Sequence, residues 1–239
     1  MRHQSAKPRA SRPRPNERTP SAPLRETGEL TYGLRAGLAL MAHRPKDVIR
    51  VAHSTEARHE LQKHMGASRF AIEIVSDAEL SRMTGSKHHE GLCVWARPRH
   101  WASTREVSSL LERTRGFAIA LDRVRNPYNV GAILRSAAFF GVPAAILGAI
   151  APHPALAADA VRVAEGGAEH LLLSRSTDLA DTLSRFRNKG IHVVGADGAS
   201  RTSAIGYSFP RPLVLVLGHE REGISERVRA HCDALIAIP

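Results

Sequence analysis

Hydrophobic and polar positions recur at two periods along this chain, and the switches between them mark its elements. "FAIEIVS", residues 70–76, alternates and is rich in branched side chains, which predicts a strand. "EGLCVWARP", residues 90–98, predicts a second. Ahead of these, order is expected from about Leu30. "YGLRAGLALMAHRPKDVIRVAHS" reads as a helix, a turn at Pro45 and a short strand at Val48–Val51. "EARHELQKHMG" is a polar helix ending at Gly66, and "DAELSRMTGS" is a short helix with Asp77 as its N-cap. Residues 28–98 therefore predict a small α/β domain.

A different rhythm follows. Residues 99–115 combine a linker with a helix, and from residue 116 strands of nearly unbroken apolar character alternate with helical patterns. The strands are "FAIALDRV", "AAILGA", a run near "HLLLSR", "IHVVGAD", "RPLVLVLGHE" and a last one at "ALIAIP". Between them lie amphipathic stretches such as "DLADTLSRFRNKG", closed by Gly190, and "GISERVRAHCD". Strands apolar on both faces belong to parallel sheets covered by helices on both sides. The fold class is thus α/β, with a parallel-sheet domain over 116–239.

Composition adds three constraints. The chain has 239 residues, enough for one sizeable core or two modest ones. It has no apolar run of ~18 residues and no apolar stretch near its N-terminus, so neither a membrane span nor a secretory signal is predicted. Two cysteines, Cys93 and Cys232, form no motif and suit a reducing, cytoplasmic setting. Charge changes the picture most: the net is +11, and residues 1–25 carry seven basic residues against Glu17, a net of +6. Residues 1–27 are expected to be a disordered basic tail. Such an arm suits phosphate backbones, although a solubilising tail has the same composition.

In open parallel sheets ligands bind beyond the carboxyl ends of the strands. Three loops qualify. The first follows "FAIALD" and holds Asp122, Arg123, Asn126, Asn129 and Gly131, with Arg135 expected to point near it. Taken singly, Asn129 reads more readily as an N-cap than as a ligand, and Arg135 as a surface residue. The second is "LGHEREGIS", residues 217–225, where Gly218 and Gly223 bracket Glu220; it also reads as a plain strand-to-helix turn with a capping acid. The third is "AEGGAEH", residues 164–170, whose adjacent glycines permit either a turn or a close ligand approach. Neither the dinucleotide-binding nor the P-loop glycine pattern is present. The pair His88 and His89 lacks partners at ligand spacing, so no metal is expected.

"NVGAILR", Asn129 to Arg135, followed after a strand–helix alternation by "LVLVLGHEREGIS", resembles the first two motifs of the SpoU (TrmH) branch of the SPOUT RNA methyltransferases. "HHEGLCVWARP" and the Tyr32-Gly33 pair resemble the end and start of that family's small L30e-like RNA-binding domain. "AEGGAEH" is similar to a bacterial subgroup typified by YfiF. The resemblance covers roughly residues 30–239. It implies a small RNA-binding domain, residues 28–98, and a parallel sheet of the trefoil-knot type, although chains rarely knot. It implies S-adenosylmethionine as methyl donor, with Leu217, Gly218, Glu220, Gly223 and Ile238 about it. The implied reaction is methyl transfer to a ribose 2′-hydroxyl of ribosomal or transfer RNA, with Arg135 and Asn129 catalytic. Arg123, Asn126 and His89 are the implied RNA contacts, and a homodimer is the implied assembly.

The family's third motif, a turn followed by a C-terminal helix that completes the knot, would begin where this sequence reaches Pro239. The knot segment is therefore expected to be missing here. Two alternatives to the ribose methyltransferase stand beside it: a non-catalytic RNA-binding relative without the cofactor pocket, and a superfamily enzyme that methylates a base.

Overall fold

The computed structural model describes residues 28–63, 70–149 and 156–239. The basic tail, the end of the helix expected up to Gly66 and residues 150–155 lie outside the described residues.

The N-terminal unit comprises β1 (Glu29–Tyr32), α1 (Leu34–His43), β2 (Val48–His53), α2 (Arg58–Gln62), β3 (Ala71–Ile74), α3 (Asp77–Thr84) and β4 (Leu92–Ala96). Its sheet has the order β1-β4-β2-β3, with β4 antiparallel to both neighbours and β3 parallel to β2. Leu40, Val51, Leu61, Leu92 and Val94 form its core. Two local features differ from the sequence reading. β1 was not expected: "ELTY" is too short to show a period, and it becomes a strand by pairing with β4, Glu29 opposite Ala96 and Tyr32 opposite Cys93. The cap of α3 is Ser76, whose hydroxyl accepts from the Glu79 amide at 3.2 Å, while Asp77 sits in the first turn, where its charge suits the helix dipole.

The C-terminal unit comprises α4 (Thr104–Thr114), β5 (Phe117–Asp122), α5 (Pro127–Phe139), β6 (Ala144–Gly148), α6 (Ala158–Val163), α7 (Gly167–His170), β7 (Leu172–Ser176), α8 (Leu179–Arg187), β8 (His192–Ala196), β9 (Leu213–Leu217), α9 (Glu226–Arg229) and β10 (Ala234–Ile236). All five strand pairings in its sheet are parallel, in the order β10-β8-β9-β5-β6-β7, as the unbroken apolar strands predicted. Successive residues of β5 feed opposite faces. Ala118 and Ala120 pack under α4, α8 and α9, against Leu111, Phe186 and Val228. Ile119 and Leu121 pack under α5, α6 and α7, against Leu134, Ala160 and Ala168. After β7 the chain crosses to the far side of β5. β5 and β9 are therefore neighbours whose following loops leave in different directions, the switch point at which open α/β sheets bind ligands.

Helices α6 and α7 also carry the N-terminal unit. The Tyr32 hydroxyl hydrogen-bonds Asp159, and burial, followed by that carboxylate, pushes the phenol pKa up. Glu169, with a side chain 2% exposed, accepts from Arg44 Nε at 2.9 Å and from Arg99 Nη2 at 2.9 Å. Arg99 also donates to the Ala168 carbonyl at 3.2 Å, so the segment between the two units is pinned at its first residue. One carboxylate thus holds two guanidiniums out of water.

Removing one partner of such a group leaves uncompensated charge and typically destabilises by about 3–5 kcal/mol. Glu169→Ala is expected to lose that much in denaturant unfolding, and to separate the transitions of the two units. A change under about 1 kcal/mol with a single transition would contradict the clamp.

Candidate functional site

The site is built on the ends of β5, β8, β9 and β10. Leu121 on β5 lies opposite Leu217 on β9, which brings the first and second candidate loops together. In the first loop Asn126, not Asn129, caps α5: its side chain accepts from the Tyr128 amide at 2.9 Å, with Pro127 at the first helical position. Asn129 is thereby free of capping. Its Nδ2 donates across 91 residues of sequence to Glu220 Oε1. That bond, followed by the backbone amide of Glu220, lowers the Glu220 pKa, so the carboxylate is ionised and purely an acceptor. The amide nitrogen is committed to it, and Asn129 Oδ1 remains as an acceptor. Arg123, in a left-handed backbone conformation with φ 61°, reaches the same second loop, donating to Glu222 at 2.7 Å and to the Gly223 carbonyl at 3.3 Å.

The second loop is folded on itself. His219 and Gly223 exchange backbone hydrogen bonds at 3.0 and 2.9 Å. A Cβ on Gly218 would lie 2.2 Å from the Gly223 carbonyl carbon, closer than any side chain tolerates, and Gly223 has φ 68°. The two glycines that bracket Glu220 are therefore required by the loop's own closure. Glu220 caps no helix; α9 begins at Glu226, directly after Ser225, whose amide donates to Asp122 at 2.6 Å.

Beneath this loop lies an open cleft of about 470 Å³, lined by Asp197 and Gly198 after β8, Leu217 to Gly223 after β9, Arg229 on α9 and Ile238 after β10. Leu217, Gly218, Glu220, Gly223 and Ile238 thus converge on one cavity. The sequence reading missed Asp197 and Arg229. Asp197 accepts from the Ala199 amide and from Arg229, and in that order they hold its carboxyl below the usual range. The only sequence signal for it was its place just after an apolar strand.

Arg135 is not where the sequence reading put it. Six residues of helix advance about 9 Å and turn a side chain about 120° from the first residue's face. Asn129 faces Glu220, whereas Arg135 donates from Nη1 to Glu165 Oε1 at 2.9 Å, on the side of α6 and α7. In the third loop the glycines pack against helices rather than opening toward the cleft. A Cβ on Gly167 would lie 2.9 Å from the Leu134 carbonyl oxygen, so this glycine lets α7 press against α5. His89 is 6% exposed and lies in the N-terminal unit, its ring nitrogens bonded to Ser81 Oγ at 3.2 Å and the Gly91 amide at 3.1 Å. Among the described residues no three His, Cys, Asp or Glu side chains are grouped to hold a metal ion, and no helix is long and apolar enough to cross a membrane.

Comparison with known proteins identifies the family. Residues 116–239 match the sequence model of the SpoU rRNA Methylase family. The chain is 32% identical over 212 residues to the "Uncharacterized tRNA/rRNA methyltransferase YfiF" of Escherichia coli O157:H7, covering 87% of this chain and 60% of that protein's length. It is 33% identical over 243 residues to an "Uncharacterized tRNA/rRNA methyltransferase" of Mycobacterium avium (strain 104), covering 97% and 76%. The fold is similar, with a TM-score of 0.68 and 22% identity over 90% or less of each chain, 89% here and 81% there, to the SpoU methyltransferase AviRb of Streptomyces viridochromogenes in complex with the cofactor AdoMet.

Gly218→Ala is expected to open the second loop while leaving the sheet intact. Overpacking of this kind typically costs about 1–3 kcal/mol. Amide exchange at His219 and Gly223 should then rise about tenfold or more, since 1.4 kcal/mol is a factor of ten. Unchanged exchange at both amides would show that the loop does not depend on this close approach.

Proposed function

Since the chain belongs to the SpoU rRNA methylase family, we propose that it is an S-adenosylmethionine-dependent RNA methyltransferase acting on a ribose 2′-hydroxyl of ribosomal or transfer RNA. The observation that carries this reading is the Asn129–Glu220 bond at the edge of the cleft. It joins two loops with complementary roles. One would hold the donor and the other would meet the acceptor.

The cleft suits the donor. Its volume falls within the range of small-molecule sites, and it offers both backbone groups and carboxylates. Leu217 and Gly218 would present main-chain donors and acceptors where no side chain intervenes. Asp197 would accept from hydroxyl or amino groups, and Ile238 would supply an apolar wall. When bound, S-adenosylmethionine supplies an electrophilic methyl on a positively charged sulfur.

The remaining chemistry falls to this chain's residues. Methyl transfer needs the hydroxyl oxygen aligned with the methyl, so positioning dominates. Asn129 Oδ1, held by the bond from its own amide nitrogen to Glu220, accepts a hydrogen bond from the 2′-hydroxyl and orients the oxygen, and the hydroxyl proton leaves to solvent water as the methyl is transferred. Arg135 acts as clamp and activator through a backbone phosphate. Its guanidinium stays protonated, so it is not the base; facing Glu165 and away from Asn129, it acts on the phosphate rather than on the reacting oxygen. Arg123 and Asn126 would contact the RNA strand at the first loop. The net charge of +11 supplies general attraction to RNA.

A homodimer fits the outer face of α5, where Tyr128, Phe139 and Phe140 are exposed, the last two by 83% and 74% respectively, with rings in edge-to-face contact at 5.2 Å. Phe139→Asp is expected to convert a dimer to a monomer in sedimentation velocity. A wild-type monomer at micromolar concentration would refute the assignment.

The function is tested by titrating S-adenosylmethionine calorimetrically, then digesting RNA treated with enzyme and donor to nucleosides. Donor binding and 2′-O-methylated nucleosides are expected, and Arg135→Lys should slow methylation about 100-fold. Near-full activity in Arg135→Lys would remove the arginine from the mechanism. Absence of donor binding would favour a non-catalytic RNA-binding protein. A base-methylated nucleoside would move the chemistry to the nucleobase.

A further inference from the structure

Glu165 stands between the two units and has no place in the mechanism above. Its backbone is left-handed, φ 46°, although it is not a glycine, and the next residue, Gly166, has φ 93°. Such a conformation is retained against a cost of order 1 kcal/mol, which calls for a reason. Its two carboxylate oxygens are used separately. Oε1 accepts from Arg135 Nη1 at 2.9 Å, and Oε2 accepts from Arg35 Nη1 at 2.8 Å. Arg35 is on α1 of the N-terminal unit and Arg135 on α5 of the C-terminal unit. The side chains of Arg35 and Arg135 are 72% and 54% exposed, so these bonds add little stability.

The charges suggest a different purpose. Two guanidiniums this close repel unless an anion lies between them. With Glu165 the trio carries a net charge of +1, which one phosphodiester neutralises. Each guanidinium has five N–H donors and spends one on Glu165 in these bonds, leaving others for a phosphate. Strain at Glu165 then has a function, because the left-handed turn is what directs one carboxylate toward arginines on two units.

We propose that Glu165 is a positioning residue that gathers Arg35 and Arg135 into one phosphate-recognition unit. Arg35 is then an additional RNA contact, and engagement of the N-terminal unit is coupled to the orientation of Arg135. This rests on the methyltransferase reading for its kinetic consequence but not for its binding consequence.

The experiment compares wild type, Glu165→Gln, Glu165→Asp, Arg35→Ala, Arg135→Ala and the double variants in the full chain, using unmodified ribosomal RNA transcripts and bulk tRNA as probes. Glu165→Gln removes a negative charge, so RNA affinity should hold or tighten while methylation at saturating RNA falls tenfold or more. Glu165→Asp should recover part of the rate. Arg35→Ala should raise KM several-fold, and Arg35→Ala combined with Glu165→Gln should be no slower than Glu165→Gln alone. A saturating rate within twofold of wild type for Glu165→Gln, additive losses in the double variant, or a fall in affinity and Tm together would each overturn the proposal. If the wild type binds RNA without methylating it, the function reading fails and the affinity cycle decides this one: Arg35→Ala and Arg135→Ala should be coupled in RNA affinity with Glu165 present, and uncoupled in Glu165→Gln. Independent losses in both backgrounds would overturn it.

Discussion

The parallel pairing of β5 with β9 places Leu121 opposite Leu217, and the whole site is suspended from that register. Both strands are buried on two faces, so a slip of one residue would exchange the helices against which every side chain packs. The loops that follow are therefore held at a defined separation by the core. Asn129 can meet Glu220 because of it, and Arg123 can span to Glu222 and Gly223. Beneath the second loop the cleft opens at the ends of β10, β8 and β9, with the folded-back turn of Gly218 to Gly223 as its roof. The strongest apolar run in the chain and the most sterically constrained glycine are adjacent for a physical reason. The strand supplies the rigid base from which so tight a turn can be held.

A second constraint joins the two units. Helices α6 and α7 bury one side against the large sheet and present the other to β1 and α1 of the N-terminal unit. Their polar residues are used accordingly. Asp159 meets Tyr32, Glu169 meets Arg44 and Arg99, and Glu165 meets Arg35 and Arg135. The ranking by burial separates structure from chemistry. Glu169 is dry and holds the units together, whereas Glu165 is at the solvent edge, where an anion can arrive.

Much of this was legible from residue patterns. The apolar strands announced a parallel sheet, and the loops after the first and fifth of them carried the polar residues that converge on the site. Leu217, Gly218, Glu220, Gly223 and Ile238 line one cleft. β1 escaped notice because four residues show no period and pairing with β4 alone makes them a strand. Ser76 was passed over for Asp77 because both are capping residues and only backbone angles decide between them. Asp197 and Arg229 escaped because neither belongs to a motif; they meet only when β8 and α9 are packed.

The amino-acid sequence by itself determined most of the elements, the parallel class of the larger sheet and the identity of the two loops that matter, because periodicity and turn chemistry are local. Tertiary structure alone decided which polar groups face each other. Helical phase turned Arg135 away from Asn129 and toward Glu165, and strand order set Asn129 against Glu220. Gly166 and Gly167 became helix contacts rather than a ligand loop, because a Cβ would lie 2.7 Å from Ala39 Cβ of α1 at the first and 2.9 Å from the Leu134 carbonyl oxygen of α5 at the second, distances that no pattern along the sequence encodes.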